Sequence, residues 1–256
     1  MSKVTRIIAL VAAIMVLLFA GYHIESYFGQ RIEDSAANDE LLAIADSPFD
    51  SDQLEEIDAR NKLFNYSRKL FGKSAPGKSP ISGNQTNASI AKAQTRKINF
   101  AALQKKNPQI VAWVSIPNMP VDYAVVKGKD NTYYLKHDAA KRKSSSGAIF
   151  LDSKLKKDFS NSDSILYGHQ MRDKSMFGSL TKYRSTSFKN KHQYIFVYTP
   201  TATKKYKVSS TFRTTKADLK PDLSKTKSLT LVTCDGYHAH YVVRAKLISS
   251  KQPGKK

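Results

Sequence analysis

Residues 229–234 read Leu-Thr-Leu-Val-Thr-Cys, and residues 164–169 read Ser-Ile-Leu-Tyr-Gly-His. Each stretch is an apolar run of strand length that ends in a side chain able to act as a nucleophile or as an acid/base group. An Asp-Gly turn follows the first run, and the glycine just before the histidine permits a sharp turn in the second. The two runs therefore predict two strands that end at a thiol, Cys234, and at an imidazole, His169.

Further short runs of β-branched and aromatic residues lie downstream of residue 97. Turn residues separate these runs, and only brief helical stretches intervene. About seven or eight such strands predict a mainly β domain built as a closed or nearly closed barrel. The predicted strands cover residues 121–126, 148–151, 164–167, 193–199, 205–211, 229–233 and 241–248.

The N-terminus carries a pattern typical of export. Lys3 and Arg6 precede an uncharged run from Ile7 to Tyr22 that is rich in Leu, Ile, Val and Ala. This order predicts a membrane anchor over residues 1–23, with the N-terminus inside the cell and the rest of the chain outside. No clear small-x-small cleavage site follows the run, which favours an uncleaved anchor over the alternative of a cleaved signal peptide.

Between the anchor and the barrel, residues 24–96 predict a helical stalk followed by a flexible linker. Apolar residues recur at helical spacing from Asn38 to about Phe71, with a break around Pro48. Residues 72–95 are rich in Gly, Ser, Asn, Lys and Pro, which is the composition of a linker. We therefore expect one folded domain over residues 97–250 and a short basic tail over residues 251–256.

The predicted surface is strongly basic. The chain of 256 residues has 42 Lys and Arg against 21 Asp and Glu, which gives a formal net charge of +21. Lysines scattered along the whole chain are compatible with two kinds of anionic partner: acidic lipid headgroups or wall polymers, and nucleic acids. The export pattern at the N-terminus favours lipids or wall polymers, so no nucleic-acid partner is predicted.

Cys234 is the single cysteine of the chain, which excludes an internal disulfide. A thiol at a strand end is presented to solvent or substrate, which favours a nucleophile over the alternative of a small hydrophobe that caps a strand. His169 could activate this thiol and later protonate a leaving amine, although a lone histidine is more often a turn or core residue. The pair His238-x-His240 has no companion ligands, so we expect it to line a surface or a site and predict no metal.

Two segments resemble the active-site signatures of sortases, and of class B sortases in particular. Residues 167–177 contain Tyr-Gly-His-Gln-Met and, after four intervening residues, Met-Phe, while residues 230–235 read Thr-Leu-Val-Thr-Cys-Asp. Further segments match in order between about residues 98 and 247, and such a collinear set is more specific than either signature alone. They comprise residues 107–117, 121–123, 125–135, 147–152 and 198–200.

The resemblance implies an eight-stranded sortase-type β-barrel with short helices, and a cysteine transpeptidase site. In this family a cysteine attacks a backbone carbonyl of a sorting signal, and an amine of the cell wall or of a pilin resolves the acyl-thioester. Cys234 then takes the nucleophile role and His169 the acid/base role, with neither metal nor organic cofactor. The implied substrates are surface proteins or pilins, handled on the outer face of a Gram-positive cell membrane.

The sequence departs from class B at the residue that stabilises the oxyanion. Class B members open the last strand with an arginine, whereas here that slot is His240 and the nearest arginine is Arg244. Either His240 substitutes, or the strand slips so that Arg244 reaches the site, or catalysis is impaired. The motif register predicts that His240 lies nearer to Cys234. The connection over residues 212–227 is also shorter than is usual in the class, which leaves the choice of sorting signal open.

Three functions are therefore left open by the sequence. The leading one is a transpeptidase that joins a sorting signal to an amine. The second is a cysteine peptidase or hydrolase that uses water as the acceptor. The third is an anchored, catalytically impaired wall-binding module with a structural cysteine.

Overall fold

The computed structural model describes residues 3–47, 83–215, 219, 221, 226–234 and 239–253. Of residues 3–9, 24–28 and 234 it describes the backbone alone. The second predicted stalk helix, the first part of the predicted linker, the Asp-Gly turn after Cys234, His238 and the last three residues of the basic tail lie outside these ranges.

Eight strands of the described residues form a closed barrel, which confirms the mainly β architecture. They are β1 (Ile110–Ile116), β2 (Val121–Val126), β3 (Ile149–Leu151), β4 (Asp163–Gly168), β5 (Tyr194–Tyr198), β6 (Thr203–Thr214), β7 (Ser228–Cys234) and β8 (His240–Lys251). Their order around the barrel is β1-β2-β3-β4-β7-β8-β6-β5, and β5 pairs with β1 to close it. The pairs β2–β3 and β4–β7 are parallel.

Over the ranges described, one long helix and three short ones accompany the barrel. They are α1 (Lys3–Ala45), α2 (Asn87–Thr95), α3 (Phe100–Lys106) and α4 (Thr186–Lys191), with 3₁₀ turns over Tyr133–Leu135 and Gly178–Arg184. One apolar core fills the barrel interior. A second covers the outer face of β1, where Trp113 packs in one cluster with Leu41 of α1 and Leu103 of α3. Strand β1 is therefore apolar on both faces.

Helix α1 is continuous to Ala45, so residues 38–45 are helical as predicted for the stalk, but this part of the helix packs on the barrel. Ala37, Leu41 and Ala45 are 5%, 2% and 0% exposed, and their spacing of four residues places them on one face of the helix. Glu40 pairs with Lys106 at 2.6 Å and with Arg142 at 3.0 Å beside this apolar stripe.

The predicted linker is also wrong for residues 87–95, because these form α2. A capping box begins the helix: the amide of Ser89 donates to Thr86 Oγ1 at 3.1 Å, and the amide of Thr86 donates to Ser89 Oγ at 2.9 Å. The hydroxyl of Tyr198 donates to the carbonyl of Ala93 at 2.6 Å and ties α2 to β5. The polar composition that predicted a linker is that of an exposed, capped helix.

The predicted membrane anchor falls on the first half of α1. Within the described part of the chain, no helix is long and apolar enough to cross a membrane. The anchor predicted over residues 1–23 is therefore not supported by the structure.

We predict that Leu41→Ala lowers the free energy of unfolding by about 2–5 kcal/mol, the usual cost of truncating a buried leucine. Leu41 is 2% exposed between α1 and the barrel, whereas Ile32 on the same helix is 50% exposed. Ile32→Ala is therefore the control, with an expected change below about 0.5 kcal/mol. Chemical denaturation measures both, and equal losses in the two variants would contradict the docking of α1.

Candidate functional site

The register of β4 against β7 brings the two strand ends together. These strands run parallel, with Gly168 paired to Thr233 in the last described pair. His169 and Cys234 are the next residues on each strand, so both leave the barrel at the same edge. Adjacent strands lie about 4.8 Å apart, so the backbones of the two residues are neighbours.

On its other side, Cys234 pairs directly with His240 across the antiparallel β7–β8 ladder. This confirms the register predicted from the sequence. His240 is half-buried at the start of β8. The backbone of the cysteine is thus flanked by one histidine position directly after β4 and by another at the start of β8.

The structure does not bring Arg244 to the cysteine. Arg244 pairs with Thr230, four residues before Cys234, which is about 13 Å along the strand. Its Nε donates to Thr230 Oγ1 at 3.2 Å, and its Nη2 lies 4.0 Å from Asp163 Oδ2. Asp163 begins β4, at the end of the strand opposite His169.

The carboxylate of Asp163 explains why the guanidinium is held there. The side chain of Asp163 is 0% exposed, and it accepts hydrogen bonds from Ser228 Oγ and Thr230 Oγ1, both at 2.9 Å. A buried carboxylate needs donors and a counter-charge to offset its lost hydration. Arg244 supplies the counter-charge and is therefore part of a buried polar cluster with Asp163, Ser228 and Thr230.

The imidazole of His169 is oriented by a backbone carbonyl. Its Nε2 lies 2.8 Å from the carbonyl oxygen of Leu135. A carbonyl oxygen only accepts, so Nε2 carries a proton and donates it, and Nδ1 is the nitrogen that exchanges a proton in the neutral ring. Leu135 contributes through its backbone, which no side-chain pattern in the sequence reveals.

Gly147 makes room for this carbonyl. It has a φ of +58°, and a Cβ at this position would lie 2.5 Å from the carbonyl oxygen of Tyr134 and 2.9 Å from that of Leu135. Any larger residue must push the 3₁₀ turn over Tyr133–Leu135 away. Sequence reasoning did not single out Gly147, although it begins one of the segments that resemble the sortases.

The loop after His169 is closed on itself. The amide of Phe177 donates to the carbonyl of His169 at 3.0 Å, and the amide of Met176 donates to the hydroxyl of Tyr123 at 3.1 Å. Burial raises the pKa of Tyr123 well above its usual range, so this phenol stays neutral. Gly168 is needed for the same closure, because a Cβ there would lie 2.4 Å from Ile149 and 2.8 Å from Phe177.

Among the described residues, no group of three or more His, Cys, Asp or Glu side chains is arranged to hold a metal ion. His240 is described, whereas its predicted companion His238 is not.

Comparison with known proteins gives a consistent match. The sequence profile of the sortase domain matches residues 114–248. Sortase B of Listeria monocytogenes is 41% identical over 86 residues, which are 34% of this chain and 35% of that protein. Sortase B of Staphylococcus aureus is 34% identical over 119 residues, which are 46% of this chain and 49% of that protein. The matches thus span half or less of these curated relatives.

A solved structure matches over a larger share. The crystal structure of Staphylococcus aureus sortase B superposes with a TM-score of 0.55 and 28% sequence identity, over 63% of this chain and 91% of that chain. The shared part is the eight-stranded barrel with its short helices.

We predict that neutral His169 carries its proton on Nε2 and that Gly147→Ala disturbs this state by displacing the Leu135 carbonyl. Imidazole ¹⁵N chemical shifts report the tautomer. Gly83→Ala is the matched control, because Gly83 also has a positive φ, +67°, but nothing lies within 4 Å of its Cβ position. Both variants incur the left-handed strain of about 1–2 kcal/mol, but only Gly147→Ala should change the His169 spectrum. A wild-type spectrum in Gly147→Ala would contradict the positioning role.

Proposed function

Because this chain belongs to the sortase family, whose profile covers residues 114–248, we propose that it is a cysteine transpeptidase with Cys234 as nucleophile and His169 as acid/base. One observation carries the proposal: parallel pairing of β4 with β7 ends in Gly168 and Thr233, directly before these two residues. The hydrogen bond from His169 Nε2 to Leu135 supports it, because it leaves Nδ1 for proton exchange.

The proposed reaction has two halves. In the first, the Cys234 thiolate attacks a backbone carbonyl of the sorting signal, and protonated His169 gives its proton to the leaving amine. An acyl-thioester and a neutral imidazole result. In the second, the acceptor amine attacks the thioester carbonyl and gives a proton to His169 as the new amide forms and the thiolate leaves. The thiolate–imidazolium pair is thereby restored.

We assign the oxyanion donor to His240 rather than to Arg244. His240 pairs with Cys234 across the β7–β8 ladder, whereas Arg244 contacts Thr230 and approaches Asp163. Preorganised donors close to the developing charge are worth several kcal/mol in acyl transfer. A guanidinium that neutralises a buried carboxylate about 13 Å along the strand supplies little of this.

The proposed substrate is a surface protein or pilin with a C-terminal sorting signal, and the proposed acceptor is an amine of a cell-wall precursor or pilin. We place the domain on the outer face of a Gram-positive cell, held by the apolar segment over residues 7–22. Lys3 and Arg6 before this segment support that orientation, and the net charge of +21 suits an anionic wall or membrane surface. Leu17 and Phe19 in the segment are 70% and 67% exposed, as expected of side chains that face lipid.

Two other functions give different results in simple assays. A hydrolase forms the same thioester but passes it to water, so added amine does not divert its product. A wall-binding module with an inert cysteine forms no thioester, and its Cys234 reacts slowly with alkylating agents because it is not activated.

We predict that Cys234→Ala abolishes both cleavage of sorting peptides and formation of an acyl-enzyme, because no other thiol is present in the chain. Mass spectrometry of the wild type with a sorting-peptide library should detect the thioester on Cys234 and identify the preferred signal. The fold should persist in Cys234→Ala, which circular dichroism checks. Residual turnover in this variant would refute the nucleophile assignment.

We also predict that His169→Ala reduces turnover at least about a hundredfold, the low end for a lost general acid/base. His23→Ala is the control, because His23 lies on α1 against Phe19 and Tyr22, outside the barrel. A loss of less than about tenfold in His169→Ala would assign the acid/base role to another group.

The oxyanion assignment predicts opposite outcomes for two substitutions. His240→Arg should stay active, because it restores the family's donor at the position beside the cysteine, and His240→Ala should lose about 10²–10³ in kcat. Arg244→Ala should lose stability by leaving Asp163 without its counter-charge, yet keep kcat per folded molecule. An inactive His240→Arg, or a folded but inactive Arg244→Ala, would overturn the assignment.

A further inference from the structure

A cavity of about 410 Å³ lies between α1 and the barrel. Its walls include Arg31, Asp34 and Leu41 of α1, Ala148 directly before β3, and the loop residues Asp173, Ser175 and Met176. Continuing the antiparallel β3–β4 register, in which Phe150 pairs with Tyr167, places Ala148 opposite His169. The cavity is therefore one strand from His169 and about 10 Å, two strand spacings, from the backbone of Cys234.

The cavity wall is acidic in a protein whose net charge is +21. Its charged residues are Asp34, Asp138, Asp173 and Arg31, three carboxylates against one guanidinium. Asp138 accepts from Arg142 Nε at 2.8 Å, and Asp173 pairs with Arg31. These two carboxylates thus have cationic partners from the protein itself.

Asp34 differs, because within the described ranges each of its donors is neutral. Its Oδ2 accepts from Ser146 Oγ at 2.6 Å, from the amide of Ser146 at 3.3 Å and from Ser145 Oγ at 3.4 Å. These donors fix the carboxylate in place and leave its negative charge uncompensated by a cation. A half-buried carboxylate of this kind attracts a cation more strongly than a fully solvated one.

The same wall also offers a donor. Arg31 Nη1 is buried and has no hydrogen-bond partner among the described residues, while Nη2 of the same group pairs with Asp173. Leaving such a donor unsatisfied is unfavourable, so a carbonyl oxygen placed in the cavity gains a charge-assisted hydrogen bond. A carboxylate and a guanidinium nitrogen on one wall are complementary to the N-terminus of a peptide. Its ammonium group can bind the carboxylate, and a carbonyl of one of its first residues can accept from the guanidinium.

We propose that this cavity is the acceptor subsite, which holds an amine-bearing peptide with its ammonium at Asp34 and a peptide carbonyl at Arg31 Nη1. The inference rests on the proposed transpeptidase function. The amine leaves Asp34 for the thioester on Cys234, loses one proton to solvent, and attacks the thioester carbonyl while a second proton passes to His169. A local excess of amine over water at this position favours transfer over hydrolysis.

Binding can be tested without any chemistry. The full chain carrying Cys234→Ala, ¹⁵N-labelled and in detergent micelles, is titrated with triglycine amide, and saturable shifts are expected at the amides of Ser146, Ala148 and Ser175. N-acetyltriglycine amide is the matched probe without an ammonium group, and we expect no saturation over the same concentrations. Equal binding of the two probes, or shifts elsewhere only, would overturn the subsite.

A pair of variants on one helix sharpens the test. Asp34→Asn removes the charge at nearly constant shape and should raise the Kd of triglycine amide at least about tenfold, equivalent to about 1.4 kcal/mol. Glu33→Gln makes the same change of charge at an exposed neighbour that does not line the cavity, and should leave the Kd unchanged. If Asp34→Asn does not fold, Asp34→Ser replaces it. A Kd for either folded Asp34 variant within twofold of the parent would contradict the proposal.

The two hypotheses fail in different ways. If triglycine amide binds as described but no library peptide forms a thioester on Cys234, the transpeptidase assignment fails and the cavity remains an amine site. If the thioester forms and Asp34→Asn, with Cys234 present, partitions between water and triglycine amide as the wild type does, the subsite fails and the transpeptidase remains.

Discussion

The parallel pairing of β4 with β7 is the constraint on which the site depends. Two parallel strands expose their carboxyl ends at one edge of a sheet, so a histidine that follows one and a cysteine that ends the other become neighbours. Side chains alternate between the two faces, so a slip of one residue would send the thiol and the imidazole to opposite sides of the barrel wall. The chemistry therefore requires a register that is correct to the residue.

The buried cluster around Asp163 secures that register from the far end of the same strands. Asp163 belongs to β4, Ser228 and Thr230 to β7, and Arg244 to β8. Hydrogen bonds from both hydroxyls to one carboxylate, with the guanidinium on Thr230, tie three adjacent strands together. Polar groups buried in this way penalise misaligned pairings, in which they would lose their partners. Arg244, a candidate catalytic residue in the sequence, thus belongs to a cluster that aligns the strands.

The sequence predicted most of the barrel, because seven strands carry apolar runs bounded by turn residues. Strand β1 escaped this pattern search, since helices cover its outer face and its apolar residues therefore do not alternate. Helix α2 was not predicted because the polar composition of this segment indicates a linker, and composition takes no account of the capping box formed by Thr86 and Ser89. The docking of α1 was missed because an apolar stripe shows that a face is buried but not against which partner. His169 and Cys234 were candidates in the sequence because each stands at a strand end within a segment that resembles a sortase signature. Leu135 was not predicted because it contributes a backbone carbonyl, and the position of Arg244 was not predicted because it depends on Asp163, which is distant in sequence.

The continuity of α1 has a mechanical consequence. The helix runs unbroken over 43 residues, about 65 Å, and its last turns are fastened to the barrel through Leu41, Ala45 and the pairs of Glu40. Each residue of a helix advances it by about 1.5 Å and turns it by about 100°. The number of residues between the first and last turns of α1 therefore sets the rotation of the barrel about the helix axis. It fixes the direction in which the edge with His169 and Cys234 faces, relative to the first turns of the helix. Inserting a single residue into α1 would rotate that edge by about 100° about the helix axis while moving it along the axis by only about 1.5 Å.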